Sequence, residues 1–182
     1  VLTTEEQILH DIQEALRPYP WTVKAAQKLS FFGEHSWGWV ALSAAGYFAQ
    51  PKKKEGWLLT GLAAFGAHAA SVIIKRIVRR PRPNNPAIDV NVKTPSQLSF
   101  PSSHSTSTTA WAAGAATVLR NPAPLLLAPI MMFSRMLAGV HYPTDVTAGA
   151  VLGGASSIFM HKIGKKVLDQ CRQNVPLLNK LS

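Results

Sequence analysis

Charge is scarce in this chain, and what there is lies bunched. Of 182 residues only 15% are Asp, Glu, Lys or Arg, and five stretches carry none at all: 36–50, 56–74, 105–119, 121–134 and 146–160. Basic or Pro/Gly-rich punctuation separates them. Such gaps fit a helical bundle in a bilayer better than a buried soluble α-core, although several fall short of the roughly 20 residues a spanning helix needs. A turn added at either end of 36–50 or 121–134 reaches that length. Cysteine is nearly absent: Cys171 stands alone, which excludes an internal disulfide and a cysteine-based metal site. No carboxylate cluster, internal repeat or low-complexity tract is present. The acidic start Thr3-Thr4-Glu5-Glu6 does not read as a signal peptide.

Average composition hides the pattern. Apolar content of 47% and a mean hydropathy of +0.07 would suit a soluble domain. The formal charge of +10 could suggest nucleic acid, but the basic residues form no platform interleaved with aromatics. Lys52, Lys53 and Lys54 sit between two apolar runs, and Lys162, Lys165 and Lys166 follow the last one. Cations placed there meet anionic headgroups. The partner implied is the bilayer, with no nucleic acid.

The fold class expected is all-α: an integral-membrane bundle of about five spanning helices preceded by an N-terminal amphipathic helix. Three regions follow: interfacial helices over 1–34, a membrane-embedded core over 35–165 and a basic tail over 166–182. Thr3 with Glu6 makes a capping box. Behind it Ile8, Leu9, Ile12, Ala15 and Leu16 share one helical face, with Asp11, Gln13 and Glu14 opposite. Pro18 stops this helix, and a second amphipathic piece runs from Trp21 to Phe32. Spans are expected near 35–50, 56–79, 104–120, 123–139 and 144–162. Trp37, Trp39 and Trp57 stand at run ends, as interfacial tryptophans do. Gly149 and Gly153 permit close helix contact. His68, in the middle of a run, reads as a packing residue. The long loop between Pro83 and Pro101 reads as a lid or mobile segment.

Three polar clusters interrupt the apolar pattern, each at the end of a run, and charge at a membrane border defaults to function. Lys75, Arg79 and Arg82 lead to Pro81 and Pro83; guanidinium forks and an ammonium suit phosphate oxygens, though a basic membrane anchor would look the same. Pro101-Ser102-Ser103-His104 precedes the third run, where helix-start N–H groups and hydroxyls make an anion site. A histidine there can hold a proton for a leaving oxygen. Ser134-Arg135 and His141-Tyr142-Pro143-Thr144-Asp145 flank the last two runs. A neutral imidazole can attack phosphorus while a carboxylate on its other nitrogen fixes the tautomer. If the spans alternate in direction, all three clusters fall on one membrane face.

Together the clusters resemble the type 2 phosphatidic acid phosphatase superfamily, whose signature is K-x6-RP, then PSGH, then SR-x5-H-x3-D. Lys75 with Arg82-Pro83, Pro101-Ser102-Ser103-His104, and Ser134-Arg135 with His141 and Asp145 match in order and spacing. Ser103 stands where the pattern has Gly; a backbone N–H contact survives that change, and the hydroxyl can narrow the site or add a donor. The resemblance implies a haloperoxidase-like helical core and a phosphatase needing no metal or other cofactor. It implies His141 as nucleophile oriented by Asp145, and a phosphohistidine intermediate. His104 would protonate the leaving group, while Lys75, Arg82, Ser102, Ser103 and Arg135 would hold the phosphate. Segments 31–39, 68–83, 90–109 and 139–146 further resemble an actinobacterial branch, the decaprenylphosphoryl-5-phosphoribose phosphatases of cell-wall arabinan precursor synthesis. That implies a polyprenyl-phosphate lipid substrate, with undecaprenyl pyrophosphate or phosphatidylglycerol phosphate as alternatives. A soluble vanadium haloperoxidase fits the charge-free runs poorly, and a non-catalytic lipid-binding bundle fits poorly with chemically competent residues at every motif position. Cations outside the motifs are slightly denser on the face opposite the clusters, at Lys52–Lys54, Arg120, Lys162, Lys165, Lys166, Arg172 and Lys180. By the positive-inside rule the clusters of this plasma-membrane protein then face the extracytoplasmic side.

Overall fold

The computed structural model describes residues 1–174 and is helical throughout. Eight α-helices run α1 Thr4–Leu16, α2 Pro20–Phe32, α3 Trp37–Ala49, α4 Lys54–Val78, α5 Ser103–Leu119, α6 Leu127–Leu137, α7 Pro143–Phe159 and α8 Lys165–Asn174. A π-helical turn, Met160–Gly164, carries α7 into α8. The basic tail expected over 166–182 therefore begins as helix, and residues 175–182, Lys180 among them, lie outside the described residues.

Local chemistry sets most helix ends. Thr3 caps α1 with the capping box in place, Glu6 returning a bond to the Thr3 N–H at 2.9 Å. Pro20 opens α2 and Pro143 opens α7, where the missing N–H costs nothing. Arg79 and Arg120 end α4 and α5 in the left-handed conformation. The amphipathic reading of α1 needs one correction. Leu9 is buried as expected, but Gln13 is buried too and Ile8 is exposed. Gln13 donates to the Asp89 and Leu137 carbonyls and accepts from the Asp89 N–H. A loop crossing the helix needs backbone partners, and an amide supplies them.

At the centre α5 packs against α4 and α7, with α3 packed mainly on α4 and reaching α5 through Trp39 and Ser43, and α6 beside α5. Trp39, Trp57 and Trp111 meet there with Ala64, Ala115 and Met131. Trp37 keeps its expected exposed position, whereas Trp39 and Trp57 are core residues at 2% and 5% exposure. Their indoles stack on Trp111 at 5.0 and 6.4 Å between ring centroids. Apolar run ends mark both interfacial and packed tryptophans, and only the neighbouring helices separate the two.

The bundle is apolar outside and hydroxyl-rich inside. Ser71, Ser102, Ser105, Thr106, Ser107 and Thr108 are buried, while Leu62, Phe65, Ile73, Ile77, Val151 and Phe159 are exposed on α4 and α7. An exterior of that kind is out of place in water. By length and hydropathy only Pro51–Val78 is fit to cross a membrane among the described residues, with Ala123–Leu137 a shorter apolar helix. Helices α5 and α7 have 17 residues each, or about 25 Å at 1.5 Å per residue.

Backbone meets backbone where α5 crosses α7. A Cβ on Gly153 would lie 2.2 Å from the Thr106 carbonyl oxygen, and one on Gly149 would lie 2.7 Å from that of Ser102. Main chain cannot swing aside as a side chain can. Gly153→Val should therefore destabilise the protein in detergent by about 1–3 kcal/mol, at the upper end of that range. Thermal unfolding followed by circular dichroism checks this, and an unchanged midpoint would refute the contact.

Candidate active site

Motif residues from five segments line one cavity of ≈ 310 Å³: Lys75 from α4, Arg82 from the following loop, Ser103 and His104 from α5, Arg135 from α6 and His141 from the turn before α7. Two expected members stand apart. Asp145 lies fully buried behind His141. Ser102 is the N-cap of α5, its Oγ accepting from the Ser105 N–H and hydroxyl. Its side chain is turned into the helix and does not reach the cavity. A Ser cap and a Ser ligand look alike in sequence, because both sit just before a helix.

Arg82 is not brought in by helical periodicity. Helix α4 ends at Val78, and Arg79 points away, bonding the Arg76 carbonyl. The chain then doubles back along 96–99: the Arg82 N–H donates to Gln97, the Ser99 N–H donates to Arg80, and Pro81 pairs with Leu98. This 84–100 loop is a tied strap. Asn91 also bonds Ala138, and Gln27 bonds Asn91. Lys93, Thr94, Ser96 and Leu98 of the strap line the cavity.

The three inner cations are anchored by neutral oxygens. Lys75 donates to the carbonyls of Leu98 and Ser99, both at 3.0 Å. Arg82 donates through Nε to Ser96 at 2.9 Å and through Nη1 to Val140 at 2.7 Å. Arg135, only 1% exposed, donates to the Ser30 hydroxyl at 2.7 Å, and its Nε has no partner. Burial lowers the Arg82 pKa to about 10, against an opposing pull from Asp145, so it stays charged at neutral pH.

Hydrogen-bond logic assigns both histidine tautomers. Arg82 Nη1 lies 3.1 Å from His141 Nε2. Guanidinium can only donate, so Nε2 carries a lone pair and faces the cavity. The proton then sits on Nδ1, 3.5 Å from Asp145 Oδ2. That contact is long and poorly aligned, leaving Nδ1 without a proper hydrogen bond, as catalytic contacts often are before substrate arrives. Burial, then Arg135, Arg82 and Lys75, push the His141 pKa well below 6.5. The ring is neutral at pH 7, as a nucleophile must be. His104 Nε2 lies 2.9 Å from the Ser30 carbonyl. A carbonyl only accepts, so Nε2 bears hydrogen and Nδ1 is the nitrogen left for other partners.

Two polar residues outside the expected set support Asp145, Arg80 directly and Glu5 through Arg80 and Thr144. Arg80 Nη1 donates to Asp145 Oδ1 at 2.9 Å and to the Thr144 hydroxyl at 2.6 Å, while its Nη2 binds Glu5. The guanidinium also covers the Tyr142 ring at 4.0 Å. Glu5 accepts from the Thr144 N–H and hydroxyl, at 3.1 and 2.7 Å. Asp145 Oδ2 meanwhile accepts from the Tyr142 N–H at 2.9 Å. Arg80 is hidden in sequence inside a run of five basic residues and two prolines. Glu5 is hidden as an ordinary first-turn acid. His68, expected to be a packing residue, also lines the cavity.

Comparison with known proteins adds three findings. The model of the PAP2 superfamily matches residues 54–169. The decaprenylphosphoryl-5-phosphoribose phosphatase of Mycolicibacterium smegmatis is 57% identical over 145 residues, covering 80% of this chain and 81% of that protein. The protein of the same name from Mycobacterium tuberculosis is 49% identical over 162 residues, covering 88% and 90%. Among solved structures, Aquifex aeolicus LpxE superposes with a TM-score of 0.69 at 22% identity, covering 88% of this chain and 96% of that one. The transmembrane PAP2-type phosphatidylglycerolphosphate phosphatase of Bacillus subtilis gives 0.69 at 21% identity, covering 91% and 89%.

A buried carboxylate stripped of its cation is costly, about 3–5 kcal/mol where one partner of a buried pair is removed. Arg80→Gln should therefore lower kcat by roughly 10- to 100-fold, by the free-energy logic of mutant rates. KM should change less than kcat, since Arg80 does not line the cavity. Steady-state kinetics check this; a pure KM effect would place Arg80 in substrate binding instead.

Proposed function

The chain belongs to the PAP2 superfamily and is a membrane phosphatase; from that premise we propose its substrate, its residue roles and its placement in the bilayer. The substrate proposed is decaprenylphosphoryl-5-phosphoribose, which loses its terminal phosphate to give the decaprenylphosphoryl-ribose. Relatives at 57% and 49% identity carrying that name support it. One observation carries the chemical reading: a neutral His141 whose Nε2 lone pair points into a cavity ringed by Lys75, Arg82 and Arg135.

In the first step His141 Nε2 attacks phosphorus as the bond to the sugar oxygen breaks. His104, in its doubly protonated form with Nε2–H held by the Ser30 carbonyl, gives that oxygen the proton on Nδ1. Asp145, accepting a hydrogen bond from His141 Nδ1–H, stabilises the cationic phosphohistidine. In the second step water attacks phosphorus, His104 takes a proton from that water on Nδ1, and the N–P bond breaks to release inorganic phosphate. Lys75, Arg82, Arg135 and the N–H groups at Ser103 and His104 hold the phosphoryl oxygens, aimed in advance where charge develops. Substrate phosphate displaces Arg82 from the His141 lone pair, so the same guanidinium both guards the nucleophile and binds its target.

We place α3 to α7 across the bilayer with the site on the extracytoplasmic side. The exposed apolar faces of α4 and α7 and the lysines opposite the site support this. An impermeant maleimide applied to intact cells should modify Cys introduced by Asn84→Cys in a Cys171→Ser background. Protection of that cysteine would reverse the orientation.

Purified protein should hydrolyse decaprenylphosphoryl-5-phosphoribose faster than undecaprenyl pyrophosphate or phosphatidylglycerol phosphate; equal rates on all three would end the specialised reading. His141→Ala should fold and lose roughly 10⁴-fold or more in kcat. The pH profile follows from the sign of the His141 shift. A lowered pKa keeps the ring neutral through pH 6.5, so the acid limb of kcat/KM should lie below that value. An acid limb above pH 7 would contradict the nucleophile assignment.

A further inference from the structure

The cavity has a wall that the phosphate chemistry does not use. Glu34, His35 and His68 line it beside Ser103, His104 and Arg135, yet none belongs to a motif. Two of the three sit in the turn between α2 and α3, and that turn is strained. His35 and the following Ser36 both take left-handed backbone, with φ of 48° and 66°. Asn, Asp and His enter this region more readily than other side chains, but two consecutive non-Gly residues there, Ser36 among them, persist only where surrounding structure imposes the conformation.

The imposed geometry presses the turn onto the site. A Cβ on Gly33 would lie 2.8 Å from the His104 ring, so only Gly allows this approach. His35 is then carried over to α4, its ring edge-on to His68 at 5.8 Å between centroids. His35 Nε2 stands 3.7 Å from the Glu34 carboxylate. On α4, Ser71 Oγ lies 2.6 Å from the His68 carbonyl and 2.8 Å from Ser103 Oγ, which ties this turn of helix to the phosphate end of the cavity. His68 Nδ1 is buried without a partner. A buried polar atom left unpaired is destabilising, and a ligand can supply the missing partner.

We propose that Glu34, His35 and His68 form a subsite for the hydroxyl groups of a pentose attached to the scissile phosphate. A sugar hydroxyl both donates and accepts. A carboxylate offers two acceptor oxygens, and each imidazole nitrogen takes either role. The wall therefore matches a polyol and mismatches a plain lipid alcohol, which would leave the buried His68 Nδ1 without a partner. Sites built to hydrogen-bond a hydroxyl reject analogues lacking it far more strongly than apolar pockets reject extra bulk. This subsite rests on the phosphoribosyl-lipid reading and says which residues make the distinction.

Calorimetric titration of the full detergent-solubilised protein tests it without relying on turnover. Ribose 5-phosphate should bind at least about tenfold more tightly than inorganic phosphate, as hydroxyl recognition would give. Glu34→Gln and His68→Leu should each erase most of that advantage. Inorganic phosphate serves as the folding reference and should bind both variants within about threefold of the parent, since neither residue is assigned to the phosphoryl oxygens. Parallel loss of both ligands, or no loss of either, would overturn the subsite. Equal affinity of the parent protein for the two ligands would do the same. Failure of the lipid assay with a preserved ribose 5-phosphate preference would instead overturn the lipid assignment alone.

Discussion

Everything at this site depends on three cations held close together without being neutralised. Like charges repel, and burying a cation costs several kcal/mol unless its donors are satisfied. The chain resolves this with carbonyl and hydroxyl oxygens: Leu98 and Ser99 for Lys75, Ser96 and Val140 for Arg82, Ser30 for Arg135. Dipoles fix the position of a charge and leave its field largely intact for an incoming phosphate. A carboxylate in each place would have cancelled it. The carboxylate close behind His141, that of Asp145, is itself held by Arg80. Electrostatic preorganisation of this kind is the largest contribution in many enzymes, and here much of it is built by the 84–100 strap.

The strap also explains why so much of the site was legible in sequence and why some was not. The order and spacing of Lys75, Arg82, His104, Arg135, His141 and Asp145 carried the site, because each spacing counts residues along one local path. Arg82 shows the limit of helical counting. It arrives by a chain reversal after Val78, and nothing in KRIVRR distinguishes that from a continuing helix. Arg80 and Glu5 were illegible for a different reason. Their partners lie 65 and 139 residues away, and one basic residue among several gives no sign of which will meet a buried acid. Ser102 and His68 exchanged expectations, the first turned into its helix and the second facing the cavity. Both outcomes depend on side-chain direction at a helix boundary or in mid-helix, which residue type alone does not set.

The fold was legible at coarser grain. Charge-free runs located α3 to α7 within a few residues, and the capping box located the start of α1. Trp39 and Trp57 were read as interfacial and proved to be core. The inversion of polarity follows from the same composition. Thr106 donates to the Ser102 carbonyl at 2.8 Å and Thr117 to the Ala113 carbonyl at 2.9 Å, so these two α5 hydroxyls are satisfied within the helix, while those of Thr108 and Thr109 have no partner among the described residues. Small, self-satisfied residues let helices approach closely where lipid offers no hydrophobic drive for association.

That close approach at Gly149 and Gly153 has an effect on how substrate choice can change. Ser103 and His104 open one of the two crossed helices, and Asp145 lies in the first turn of the other. Main-chain contact therefore sets the registration of His104 against His141 and Asp145, and side-chain replacement elsewhere cannot slide one along the other. The walls are under no such restriction. The 33–36 turn and the 93–98 stretch of strap touch the cavity from outside the crossing, so leaving-group preference can drift there while the reacting atoms keep their alignment.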